Sequence, residues 1–426
     1  MTLERLEADA RARDEADRAG SARERFVLPK DDSPSPHPLL AYLAGDSLGP
    51  PTVDVDVDVR RELEGWATLG VEGHWTGERS WGEYLVALRG PMARVVGATE
   101  REVVIMNALT VNLHLLLASF YRPTAARHRI VIEDLAFPSD SYAVRSHAAA
   151  RGYDPDEAVV RLAPREGERL LRTEDVLAHL DAEHERTALV MLGGVNFKTG
   201  QLMDMPTITA AAHRHGITVG WDLAHAAGNV EVSLHDWDVD FAAWCTYKYL
   251  NGGPGSTAAA FVHERHLSDR SLTRLEGWWG TDPQVRFEMR PVLDPVASAD
   301  AWSVSNPPIL STAPLLSSLA LFDAVTMPVL RARSERLTGY LAELVLADAG
   351  STGASLVTPT EPAWRGCQLS IAVPGDPAVV AERLRRAHGV VGDARPPDIV
   401  RLAPAPLYST FHDCWRAAAA LHEVLA

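Results

Sequence analysis

An aspartate at 222, a histidine at 225 and a lysine at 248 stand at or just after the ends of short apolar runs, in ITVGWDLAHAAGN and FAAWCTYKYLNGGPG. A lysine amine can form an imine with a carbonyl, and a buried carboxylate can keep a heterocyclic nitrogen protonated. A third segment, NALTVNLHLLL, brings Leu109 and Thr110 to the point where a loop enters a helix, whose free backbone N–H groups can hold an anion. Imine-forming amine, carboxylate and anion cradle are together what pyridoxal phosphate needs to serve as an electron sink. Singly these residues say little: a lysine after a strand is usually structural, and D-x-x-H can be a helix cap or half of a metal pair. No second carboxylate–histidine pair stands nearby in the sequence to complete a zinc site, and no metal is expected.

The elements that must position these residues are legible in the pattern. Candidate strands are 101–106, 129–134, 187–194, 217–223, 241–247 and 258–264, with helical segments such as TVNLHLLLASFY, DSYAVRSHAAARG, TEDVLAHLDAEH and MPTITAAAHRHG between them. Strand–helix alternation implies a mostly parallel central sheet covered by helices, an α/β fold whose ligands collect at the carboxyl ends of the strands. After Pro307-Pro308 two long helical stretches, short strands near QLSIAV and IVRLAP and a final helix through 412–425 form a smaller α/β unit. The expected division is an N-terminal arm over 1–60 packing with the small domain, a large cofactor-binding domain over 61–310 and a small C-terminal domain over 311–426. VDVDVDV at 53–59 has the period of a strand. An aspartate at every second position makes a poor ladder, however, and Pro50-Pro51 before acidic residues suits a helix start.

Composition narrows the function classes. The chain has 426 residues, 41 Lys+Arg against 57 Asp+Glu and a formal net charge of −16, which argues against a nucleic-acid surface. No apolar run approaches the ~20 residues of a membrane span. MTLERLEADARARDEADRAG has no apolar core, so it does not read as a signal peptide. Three cysteines, Cys245, Cys367 and Cys414, have no CxxC spacing and form no disulfide framework. A cytoplasmic enzyme of small molecules is the expectation.

Longer segments carry a resemblance. YLAGDSLG, MNALTVNLHLL, FPSDSYA, VNFKTGQ, WDLAHAAGNV, HDWDVDFAAWCTYKYLNGGPG, SNPPIL, RGCQL and RLAPAPLY, spread from about Arg23 to the C-terminal helix, resemble the kynureninase family. These are pyridoxal-phosphate hydrolases of the fold type I aminotransferase superfamily. The resemblance implies hydrolysis of the Cβ–Cγ bond of kynurenine or 3-hydroxykynurenine to an anthranilate and L-alanine, in a homodimer with shared active sites. It implies that Lys248 bonds the cofactor and moves the Cα proton, and that Asp222 pairs with the pyridine nitrogen with Asp140 close by. Phe137 in its Phe137-Pro138-Ser139 turn stacks on the ring, and His225 sits beside it. Leu109 and Thr110 hold the phosphate with Tyr247, while Trp278 and Asn306 reach across the dimer. Tyr247 or Lys248 protonates the departing carbon fragment. Arg401 clamps the substrate carboxylate, with Ser47 and Ser305 among the substrate contacts. His74 and Asn306 match the residues of members that prefer the 3-hydroxy substrate.

Two departures stand out: Gly193 where many members have Ser or Thr, and Thr281 where many have His. They leave open a ring-modified kynurenine as substrate. The superfamily also contains cysteine desulfurases and aminotransferases. Cys367 is expected to be a buried structural thiol rather than a desulfurase nucleophile.

Overall fold

The computed structural model describes residues 3–17, 21–347 and 349–426. A seven-stranded sheet runs, edge to edge, Val103–Ile105, Ala259–Val262, Phe241–Trp244, Thr218–Asp222, Thr187–Gly193, Arg129–Glu133 and Val159–Leu162. Ala259–Val262 pairs antiparallel with both of its neighbours, and the remaining pairings are parallel. The six expected strands are all present. The seventh, Val159–Leu162, escapes the sequence pattern because it is a four-residue edge strand whose side chains are only partly covered. With one neighbour it needs no continuous apolar run.

Side-chain alternation feeds two separate cores. Val131, Val190, Leu192, Val219, Trp221, Ala242, Trp244 and Phe261 face one layer. Ile130, Ile132, Leu189, Met191, Phe241, Ala243, Ala260 and Val262 face the other. That division by odd and even positions is what a sheet buried on both faces produces. Trp221 and Trp244 are fully buried, and their indole N–H groups donate to Thr209 Oγ1 at 3.1 Å and Met92 Sδ at 3.4 Å.

VDVDVDV does open a helix, Val55–Leu69, with Asp56 and Asp58 in its first turn. The acidic side chains favour the positive helix end, which outweighs the strand period. The N-terminal helix Leu3–Ala16 lies against the C-terminal helix Phe411–Leu425. Ala10, Ala41 and Leu43 share a third core with Leu337, Leu341, Leu369, Ile371, Leu402 and Leu421. A four-stranded antiparallel sheet, ordered Asp393–Arg395, Ile399–Leu402, Leu369–Ala372 and Ser355–Leu356, forms the floor of this C-terminal layer. Among the described residues no single helix is long and apolar enough to cross a membrane.

Candidate active site

Strand ends of the large sheet converge on one cleft of about 700 Å³ including its open mouth. It is lined by Leu109, Thr110, Glu133, Phe137, Ser139, Asp140, Gly193, Asp222, His225, Tyr247 and Lys248, among others. Asp222 closes its strand and Lys248 follows the strand Phe241–Trp244, so neighbouring parallel strands deliver both to the same end of the sheet.

Lys248 Nζ donates to His225 Nε2 at 3.0 Å. Burial and the Lys248 charge hold the His225 pKa well below the ordinary histidine value, so the ring is neutral and can accept. The Phe137 ring lies 5.8 Å and the Tyr247 ring 5.9 Å from Nζ. Phe137 ends the turn before the helix Pro138–Ala150, with Pro138 at the first helical position. Pro138 itself is exposed and does not line the cleft, whereas Ser139 and Asp140 do.

Three buried carboxyl groups share the floor. Asp222 accepts from the Ala224 N–H at 2.6 Å, which fixes its direction. Burial raises both Asp222 and Asp140, and the hydrogen bond between them pushes Asp140 up while drawing Asp222 down. Asp140 therefore holds the shared proton and Asp222 carries the negative charge. Glu133, at the end of its strand, is pushed up to about 7 by burial. It was not singled out in the sequence, although an acidic residue closing a buried strand was the available signal. Its Oε1 lies 3.0 Å from where a Gly193 Cβ would stand, so this carboxyl occupies the ground that a larger residue at 193 would claim.

The anion cradle is the start of the helix Leu109–Phe120, whose N-cap Ala108 offers no side-chain cap. Asn107 takes a left-handed φ of 50° to make the turn. It donates to Asn112 Oδ1 at 3.0 Å, while Asn112 donates to Met106 O at 2.9 Å. That tie aims the first helical N–H groups into the cleft.

The remaining expected residues lie elsewhere. Arg401 is 1 % exposed and is absent from the cleft wall, because its guanidinium is already engaged. Its Nε donates to Asp393 at 2.5 Å, Nη2 bonds the same carboxylate, and Nη1 donates to Phe197 O at 2.6 Å. Nη2 also donates to Ser47 Oγ at 3.3 Å. Phe197, whose carbonyl takes Nη1, lines the cleft and lies edge-on to Phe137 at 5.1 Å. His74, Trp278 and Asn306 come together in a second, aromatic cleft with Trp75, Trp279 and Phe287, which shares no lining residue with the first. Ser305 is exposed and lines neither. Thr281 donates to Asp294 O at 3.0 Å and is absent from the walls of both clefts. All three cysteines are buried, and burial pushes the Cys367 thiol up to about 12. None has the exposure or acidity that a sulfur-transfer nucleophile requires.

Comparison with known proteins decides the family. The profile for the aminotransferase class-V family matches residues 59–272, and that for the kynureninase C-terminal domain matches residues 330–421. A kynureninase of Salinispora tropica is 56% identical over 99% of this chain and 98% of its own length. One from Myxococcus xanthus is 49% identical over 97% and 96%. The chain belongs to the kynureninase family.

Solved structures show the wider fold. The cysteine desulfurase of Thermococcus onnurineus superposes with a TM-score of 0.73 at 16% identity, covering 91% of this chain and 94% of its own. A cystine C–S lyase solved with cysteine persulfide gives 0.76 at 15% identity, covering 90% and 97%. This is the fold type I architecture of pyridoxal-phosphate enzymes, and pyridoxal 5′-phosphate is the cofactor. The cleft suits it. His225 Nδ1 is buried without a hydrogen-bond partner, and the Phe137 ring is left 43% exposed beside Lys248.

Proposed function

We propose that this kynureninase-family chain hydrolyses the Cβ–Cγ bond of an L-kynurenine, with 3-hydroxykynurenine preferred, releasing an aryl carboxylate and L-alanine. The observation that carries the reading is Lys248 Nζ, 3.0 Å from neutral His225 in a cleft whose floor is the Asp140–Asp222 pair.

Bound pyridoxal phosphate supplies an electron sink for negative charge developing at the substrate Cα. Lys248 would hold it and would take the Cα proton of the substrate, with His225 holding Nζ in place. Asp222 would keep the pyridine nitrogen protonated, because the hydrogen bond with Asp140 favours the proton on Asp140 and the charge on Asp222. The N–H groups of Leu109 and Thr110 hold the phosphate. Phe137 covers the ring face and limits water. A water oxygen adds to the γ-carbonyl, the Cβ–Cγ bond breaks, and the oxygen leaves with the aryl carboxylate. The electron pair left on Cβ takes a proton from Tyr247, whose pKa is raised by burial so that it stays protonated; Lys248 returns its proton to Cα to complete L-alanine, and a proton released from the added water restores Tyr247. Arg401 clamps the α-carboxylate once Asp393 yields, in the planar bidentate geometry that lysine cannot supply.

In a homodimer, His74, Trp278 and Asn306 of one protomer serve the partner's cleft. Their exposed aromatic surroundings support this: Trp75 is 58%, Phe287 59% and Trp278 43% exposed, more apolar surface than a lone chain usually leaves open. His74 and Asn306 supply polar groups for a ring hydroxyl, and a site built to bond a hydroxyl discriminates strongly against its absence. The test is to incubate the cofactor-loaded protein with kynurenine and 3-hydroxykynurenine separately and quantify alanine and aryl acid. Equimolar alanine and 3-hydroxyanthranilate, formed faster than anthranilate at limiting substrate, is the expected result. Faster turnover of unsubstituted kynurenine would sink the preference, and no alanine from either would sink the reaction.

A further inference from the structure

Beside Arg401 lies a second carboxylate. Asp46 is 1% exposed, and its Oδ2 lies 3.0 Å from Arg401 Nη2. The approach is not a hydrogen bond, and Oδ2 has no hydrogen-bond partner of any kind. Asp393 already takes Nε and Nη2, and Arg395 adds a donation to Asp393 Oδ2 at 2.8 Å. Two carboxylates thus face two guanidinium groups, Asp46 and Arg401 fully buried and Asp393 and Arg395 partly exposed, and the set is neutral before substrate arrives.

We propose that Asp46 is a positioning residue that takes up a proton when the substrate α-carboxylate reaches Arg401, and then donates a hydrogen bond within the carboxylate cluster. This rests on the assignment of Arg401 as the carboxylate clamp. A third carboxylate would leave the buried cluster with an uncompensated negative charge, which a low-dielectric interior does not tolerate when a proton can be bound instead. Asp46 is the member that takes the proton, because Asp393, on yielding Arg401, keeps Ser47 and Arg395 as donors, whereas Asp46 Oδ2 has none. Protonation turns that partnerless acceptor into a donor.

Its surroundings leave no competing proton site. Facing Asp46 are Tyr42, Lys248, Tyr249, Cys367, Asp393, Arg395, Arg401 and Tyr408. Burial raises the pKa of the three tyrosines and Cys367, so all four stay neutral. Burial already raises Asp46 above the ordinary aspartate value against the pull of Arg401.

The test uses cofactor-loaded protein and L-alanine, a product that carries the carboxylate without a cleavable bond. Calorimetry in buffers of different ionisation enthalpy counts protons taken up on binding. Wild type is expected to take up about one more proton than Asp46→Asn, whose amide supplies the donor permanently. In turnover, the wild-type KM is expected to rise by up to tenfold per pH unit above the Asp46 pKa, and that slope is expected to vanish in Asp46→Asn. Equal proton counts in the two proteins overturn the proposal. So does a pH-independent wild-type KM, which needs no variant to fold. Arg401→Lys separates the layers. If it binds L-alanine as well as wild type does, the clamp assignment fails and the proposal with it. If it loses binding while the proton counts match, the Asp46 proposal alone fails.

Discussion

At the scale of single residues, the cleft sets one charged amine against three carboxyl groups, so its protons are shared by environment. Asp140 protects the charge on Asp222, and Glu133 is the group that responds nearest neutrality. Its folded pKa of about 7 lies above the unfolded carboxyl value of 4.5. The folded protein therefore binds the extra proton, and stability is lost as pH climbs from the unfolded value through the folded one. Glu133→Gln, tested in the cofactor-free protein, is expected to unfold at a higher temperature than wild type above about pH 7. The gain is bounded by about 3 kcal/mol and disappears below about pH 4.5. Thermal scans across that range check it; a constant offset would mean that packing, not ionisation, separates the two proteins.

At the scale of elements, the anion cradle depends on a short tie rather than on the helix alone. Asn112 is buried and closes the Met106–Asn107 turn from inside the helix Leu109–Phe120. Asn112→Leu keeps the volume and removes both hydrogen bonds, leaving Met106 O without its donor. The expected cost is about 2 kcal/mol in chemical denaturation, with weaker retention of cofactor phosphate because the helix start is no longer aimed. Unchanged phosphate retention in a destabilised protein would mean the helix end is positioned by packing. The neighbouring strand carries a similar constraint: a Cβ on Gly220 would stand 2.2 Å from the Phe241 ring, so the Asp222 strand approaches Phe241 as only glycine permits.

At the scale of the whole molecule, the two clefts of a single chain divide the expected site between them. Lys248, Asp222 and His225 occupy one; His74, Trp278 and Asn306 occupy the other. A dimer that pairs unlike clefts reconciles this with one reaction. Sedimentation at assay concentration is expected to give two chains per particle. The double substitution Trp278→Asp, Phe287→Asp is expected to shift it toward one chain and to cut turnover in parallel. A fully active monomer would falsify the shared site.

Much of this was legible before any coordinates. The central strands declare themselves because each is buried on both faces and therefore continuous in apolar residues. Asp222 and Lys248 declare themselves because parallel strands deliver their C-terminal ends to one edge. The helix start at Val55 follows from prolines and acids that local physics places at a positive helix end. Other features depend on contacts distant in sequence. Val159–Leu162 is a strand because Arg129–Glu133 lies beside it, not because of its own pattern. Glu133 becomes a titrating group only because the fold buries it and sets the Asp222 charge beside it. Arg401 meets Asp46 across hundreds of residues and Asp393 across a strand pairing. Residue type and local period fix what an element is, whereas desolvation and charge pairing belong to neighbours that only the folded chain brings together.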